Sequence, residues 1–353
     1  MYTATALALM LSAPAAPTEA PVDVKPCVAR GLKWLAEQQK DDGTWVGRAN
    51  SAPATTTAMG ALALLMEGST PKAGTYAPHI RKAVEWVEKG AKSDGSLAGP
   101  NPTESTRPNV PHAHALLFLA CAYDVDDDAE RRARLQKVLT AAVGFARANQ
   151  SARGGWGTFA GRDDTLVTSQ MLHALFAARK AGIDVPRDVT DKATAYLAKS
   201  TSPTGGVYRD GPAEDGFGGS QARVQYTSAA AAALLLHDGP RPTTFTRWLT
   251  HLQAAPVPAW PQRPNATTIS LHLSLARITF ALGENGHVAA DRGAKGADPL
   301  TWSSYRAAVF RSLRDTQGSD GNWIETVPGP VYGSSVALII LQMENDFLPA
   351  FSR

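Results

Sequence analysis

The feature that most constrains this chain is a pattern that returns along its length. It runs from a basic or small residue to an aromatic with an aliphatic neighbour, then a Gln, then Gly-x-Trp. The first copy is Arg30-Gly31, Trp34-Leu35, Gln39 and Gly43-Thr44-Trp45. The second is Lys82-Ala83, Trp86-Val87, Ala91 in the Gln place and Gly95-Ser96-Leu97. The third carries Phe145-Ala146, Gln150 and Gly154-Gly155-Trp156, and the fourth Lys192-Ala193, Tyr196-Leu197, Thr201 and Gly205-Gly206-Val207. A fifth is degenerate, with Trp248-Leu249, Gln253 and Trp260, and the last has Leu313, Gln317 and Gly321-Asn322-Trp323. Neighbouring copies lie about 50–60 residues apart, and units of this kind bury their apolar faces only by stacking on one another.

Each copy opens with an amphipathic segment, for example Cys27 to Lys40 or Ala129 to Asn149, whose apolar residues recur at three and four. That spacing predicts a helix with one wet face. After the Gly-containing loop comes a segment apolar nearly all round: Thr55 to Met66, His112 to Ala122, Leu166 to Ala178, Gln225 to Leu236, Ile269 to Leu282 and Tyr332 to Met343. Helices apolar on every side must be buried. The alternation predicts an all-α, (α/α)6 toroid of about six helical hairpins over residues 21–353, with an inner apolar ring inside an outer amphipathic ring.

Composition narrows the function classes. With 44% hydrophobic residues the chain can bury a large core, and its net charge of +3 is spread out rather than gathered. The basic run Arg131, Arg132 and Arg134 is diluted by Asp126, Asp127, Asp128 and Glu130, so no nucleic-acid footprint is expected. Two cysteines, Cys27 and Cys121, are too few for a disulfide framework and make no zinc spacing. Residues 1–20 hold a short apolar run, Ala4 to Leu11, before Ala13-Pro14-Ala15. This reads as a signal-peptide core and so predicts export to the periplasm or beyond. No Lys or Arg precedes the run, and the alternative is a misassigned start or a disordered tail on a cytoplasmic protein. No later stretch is long enough for a transmembrane helix, which leaves peripheral membrane contact open.

The Gln and Gly-x-Trp pattern resembles the QW motif of squalene-hopene cyclases, shared more loosely by protein prenyltransferase β-subunits. The resemblance runs from about residue 25 to the end and implies a terpenoid cyclase-like toroid, of which this chain has room for one. Gly154 to Val185, Gly329-Pro330-Val331-Tyr332 and Phe347-Leu348-Pro349 are similar to single-toroid bacterial repeat proteins with no established chemistry. The motif residues of this chain are expected to be structural, the indoles stacking between units and Gln holding the end of the outer helix.

The resemblance also supplies tests of chemistry. Squalene-type cyclases protonate their substrate with an Asp-x-Asp-Asp tetrad. Asp124-Val125-Asp126-Asp127 matches it literally but follows an inner helix, where Asp127 with Glu130 is expected to cap the next one. The equivalent place is Gly161-Arg162-Asp163-Asp164-Thr165, with Asp163 as the donor, Asp164 as the last acid and Gly161 in place of the first. Capping of the inner helix by Asp163 or Asp164 is the structural alternative. Zinc of the prenyltransferase type is not expected, because Cys121 lacks the Asp-x-Cys context, nor is a thioester, because neither cysteine begins Cys-Gly-Glu-Gln.

No cofactor or metal is expected. His112 and His114 are two apart on a helix and so face apart; a core or capping role is the plainer reading of His112. A polycyclising cavity would need aromatic faces. The inner helices offer few beyond Phe176, Tyr226 and Phe280, so loop rings such as Phe159, Tyr208, Phe217 and Tyr332 are the candidates to line it, with Gln225 and His112. Glu214 and Asp215 lie in a glycine-rich loop of the kind that could rim a glycan site. Three functions stay open: a binder of an apolar isoprenoid-like or lipid ligand, a class II terpene cyclase using Asp163, and an exported interaction scaffold. The first two call for a deep, mostly apolar cavity; the third allows a centre filled by Ala229 to Ala233.

Overall fold

The computed structural model describes residues 22–48, 52–159, 161–211, 223–237, 242–287, 299–324 and 329–352. The apolar run Ala4 to Leu11 and residues Glu214, Asp215 and Phe217 lie outside them. The outer set of helices is α1 (Lys25–Glu37), α3 (Ala77–Gly90), α6 (Ala129–Ala148), α8 (Arg187–Lys199), α10 (Thr244–Gln253) and α12 (Trp302–Thr316). The inner set is α2 (Pro53–Met66), α5 (Asn109–Asp124), α7 (Thr165–Lys180), α9 (Val224–Ala233), α11 (Ala266–Leu282) and α13 (Pro330–Leu341). A short α4 (Pro102–Thr106) lies in the loop before α5.

The inner helices pack in the order α2, α5, α7, α9, α11, α13 and back to α2, which closes the ring. Each outer helix packs chiefly on the inner helix that precedes it: α3 on α2, α6 on α5, α8 on α7, α10 on α9, α12 on α11, and α1 on α13 across the closure. In α2 every residue is buried, whereas α3 buries Ile80, Ala83, Val84 and Val87 and leaves its charges wet. The wet-faced and dry segments therefore take the places their periodicity predicts.

The recurring residues lock this frame. Gln39 Nε2–H donates to Gly43 O and to His79 O on the next outer helix, both at 2.9 Å. Gln150 joins Gly154 O to Val189 O in the same way, and Gln317 joins Gly321 O to Cys27 O, which fastens the last hairpin to the first. The indoles of Trp45, Trp156 and Trp323 each donate back to a carbonyl of their own outer helix: Leu35, Ala146 and Leu313. The glycines must be glycine. Gly43, Gly95, Gly154 and Gly321 all have φ near +90 to +100°, and a Cβ on each would meet a carbonyl of the next outer helix at 2.2–2.6 Å.

One expected cap is off by a residue. Asp128, not Asp127, caps α6 by accepting from Arg131 N–H at 2.9 Å. Asp126 is buried against the Arg131 guanidinium, and Asp127 makes a surface ion pair with Lys72. The buried pair needs Arg131 turned inward, and that fixes where the helix begins. Two helix ends are also shorter than their apolar runs. α9 stops at Ala233 and α13 at Leu341, after which Met343–Asn345 forms a 3-10 turn.

Candidate functional site

The Gly-containing loops all lead into inner helices and gather at one end of the ring. The C-terminal tail closes the other. Asn345 Nδ2–H donates to Met66 O at the end of α2 (2.9 Å), and Lys180 Nζ reaches Pro349 O at the end of α7 (2.8 Å). Phe351, 5% exposed, thereby becomes the floor of an axial cavity.

That cavity encloses about 60 Å3. This is several times the ~10–15 Å3 one water needs, and well short of the ~300 Å3 and more of an ordinary small-molecule site. Its wall is mixed. Met59, Leu62, Leu117 and Leu273 supply apolar surface, while Ser169, Gln170, Ser270, Ser274 and Arg277 supply polar groups. The cavity is far smaller than the deep one expected, and its wall, though more apolar than polar, carries several polar groups. Small residues on α9, such as Ala229, let the ring draw close, and polar residues on α7 and α11 turn toward the axis.

Two histidines also face this space. His114 Nδ1–H donates to Val110 O at 2.9 Å, and its ring stands edge-on to Tyr332 at 6.2 Å. His173 Nε2–H donates to Ala350 O of the tail at 3.2 Å, with Phe351 edge-on at 5.3 Å. Burial pushes both imidazoles below their ordinary value, and for His173 the nearby Arg277 adds to that. Both are therefore neutral at pH 7.

The residues singled out from the sequence scatter around this site. Tyr332 lines the cavity. His112 is fully buried in the frame: it accepts from Leu97 N–H at 3.1 Å and its Nε2–H donates to Ala142 O at 3.1 Å. Phe159 is 54% exposed on a rim loop beneath Arg107. Gln225 and Tyr226 are buried in α9 outside the cavity wall, and Tyr208 gives its carbonyl to the Thr165 hydroxyl.

Asp163 is 4% exposed, accepting from Ser151 Oγ–H (2.7 Å) and pairing with Arg153 Nε (3.1 Å). Arg162, its neighbour in sequence, is exposed and does not make that pair. Asp164 caps α7 by accepting from Leu166 and Val167 N–H, and pairs with Arg209.

Arg277, His173 and Ser169 went unnoticed in the sequence. The available signal was Arg277 itself, the only Lys or Arg in the dry segment Ile269 to Leu282. A lone charge on a helix with no wet face must find a partner or a ligand.

A closed double ring of helical hairpins defines the protein class: an α/α toroid. The family model "Squalene-hopene cyclase C-terminal domain" matches residues 3–106. No curated protein matches the sequence. Several solved structures share the fold at low identity. The GH76A alpha-1,6-mannanase from Salegentibacter sp. HEL1_6 is 11% identical with a TM-score of 0.60, covering 91% of this chain and 98% of its own. The cellobiose 2-epimerase from Spirochaeta thermophila DSM 6192 is 12% identical with a TM-score of 0.60, covering 92% and 99%. A glycosidase in complex with glucose is 12% identical with a TM-score of 0.59, covering 92% and 98%. Taken with its ring of helices, the chain is an α/α toroid whose residues 3–106 are similar to the squalene-hopene cyclase C-terminal domain.

Proposed function

We propose that this toroid is a binding protein: its axial cavity takes the head of a small isoprenoid-like or lipid molecule, the body lies toward the rim, and no chemistry follows. The wall carries this reading. It offers apolar surface, hydroxyls and one cation, and none of its described residues is a carboxylate. A cyclase acid must hold its proton and reach the substrate. Asp163 instead faces Arg153 and Ser151 behind Gly155, and Asp164 is occupied at the start of α7. Glycoside hydrolysis, the activity named for several fold neighbours, needs two carboxyl groups about 5–9.5 Å apart, and the described wall supplies none.

A scaffold role has one observation in its favour. Phe159 and Ile324 are the exposed large hydrophobics among the described residues, and both sit in rim loops. Contact with a protein would use that face.

Native mass spectrometry of the full chain from its own source tests the binding reading. A one-to-one adduct of a small lipid-like molecule is expected; bare protein that takes up no such molecule on addition would overturn it. Incubation with squalene and shorter polyprenyl substrates tests it from the other side. A cyclised product from the parent that disappears in Asp163→Asn would replace binding with catalysis.

A further inference from the structure

Among the described residues the Arg277 side chain is the one charged group on the cavity wall, and it sits deep. It is 8% exposed, and among the described residues it makes one hydrogen bond, from Nη2–H to Ala232 O at 3.0 Å. No Asp or Glu of the described residues lies within ion-pair distance of it. A guanidinium carries five N–H donors and stays charged at any ordinary pH. Burial works against that charge, drawing the group down from 12.5 to about 9, still protonated at neutral pH. A buried cation without a counter-charge is costly and calls for a partner.

The surroundings do not supply one. Phe351 presents its ring, with Cζ of Arg277 5.7 Å from the centroid. Burial keeps His114 and His173 neutral and the Cys121 thiol protonated. Among the described residues the floor therefore carries one net positive charge.

A second observation points the same way from another helix. Ser169 on α7 is 4% exposed, lines the cavity, and its Oγ has no hydrogen-bond partner. Buried hydroxyls are almost always bonded, so one that is not and faces a cavity is a donor in waiting.

We infer that the floor of the axial cavity is a carboxylate site, in which the Arg277 guanidinium and the Ser169 hydroxyl hold the acid end of an amphipathic ligand. This rests on the binding reading above and narrows it from a lipid-like molecule to a lipid-like acid. A single cation matches a monoanion better than a phosphate dianion. The planar fork of guanidinium also matches the two oxygens of a carboxylate. The small volume suits a headgroup, with the hydrocarbon running past Leu273 and Leu62 toward Leu166 and Tyr332.

The test compares octanoate with octan-1-ol on the full chain by titration calorimetry. The parent is expected to bind octanoate at least tenfold more tightly than the alcohol. Arg277→Met should erase that preference, and Ser169→Ala should weaken octanoate several-fold. If the alcohol binds and octanoate binds no better, the carboxylate site is wrong while the binding reading stands. If neither ligand binds the parent, both fall. Octanoate binding to Arg277→Met at the parent's strength would also overturn the site. Thermal melting guards the variant: without ligand, Arg277→Met should melt no lower than the parent, because an uncompensated buried charge has gone. Should it not fold, the parent's preference for octanoate over octanol still decides.

Discussion

Hairpins two and three build the same rim loop from different chemistry. In hairpin three, Trp156 N–H is held by the Thr168 hydroxyl at 3.0 Å, while Gln150 reaches across to α8. In hairpin two, Ala91 stands where Gln would be and Leu97 where Trp would be. There His112 does both jobs with one ring: Nδ1 accepts from Leu97 N–H, and Nε2–H donates to Ala142 O on α6. Thr57, Thr227 and Ser334 repeat the hydroxyl version in hairpins one, four and six. The lesson is that the loop keeps a geometry, one latch to its own inner helix and one reach to the next outer helix, and tolerates several side chains that deliver it. The glycine alone is common to both hairpins, because backbone sits where its side chain would go.

Breaking the shared element should have the largest effect. In Gly95→Ala the new Cβ would lie 2.2 Å from Ala141 O, and in Gly154→Ala 2.5 Å from Lys192 O, both at positive φ. Each is expected to cost about 3–5 kcal/mol in urea denaturation. Gly182→Ala, at φ +90° but with open space around it, should cost only about 1 kcal/mol. Equal losses in all three would mean that the stacking of loop on helix is not what fixes these glycines.

The next effect separates the two hairpins by pH. Burial lowers His112 from 6.5 to about 4. The unfolded chain therefore takes up the proton first, and stability falls as pH drops from about 6.5 through 4. His112 alone contributes on the order of 3 kcal/mol to that fall. His112→Thr, which gives hairpin two the hydroxyl of its neighbours, should melt with a visibly smaller difference between pH 7 and pH 4.5. An unchanged slope would assign the acid sensitivity to other buried rings, such as His272, also lowered to about 4.

The smallest effect concerns the reach to the next helix. Gln150→Ala removes the donor to Gly154 O and Val189 O and should cost about 1–2 kcal/mol. Ala91→Gln in hairpin two should change stability by less than about 0.5 kcal/mol, since His112 already makes that connection. A large gain from Ala91→Gln would show that the imidazole is the poorer device.

The frame was legible because it is periodic. Apolar residues at three and four, and segments dry on every side, dictate wet and buried helices wherever they occur, and the recurring Gln, Gly and Trp marked each turn of the ring. The degenerate fifth copy could be placed only by its neighbours, since Trp260 hangs from Ser312 of α12 rather than from its own inner helix. The site was not legible in this way. Asp163 has Arg162 beside it in sequence, yet it is Arg153, ten residues earlier, that holds it. His112 and His114 are two residues apart, yet one ring ends in the frame and the other on the axis.

The sequence by itself determined the alternation of helices, their number, and the faces they bury, because periodicity and local sterics act within a few residues. Only the tertiary structure decided what lines the axis. Arg277 from α11, Ser169 and His173 from α7 and Phe351 from the tail come together across as many as 182 positions of chain. Their meeting depends on how closely six helices pack and on where the last ten residues turn, and no local pattern encodes either.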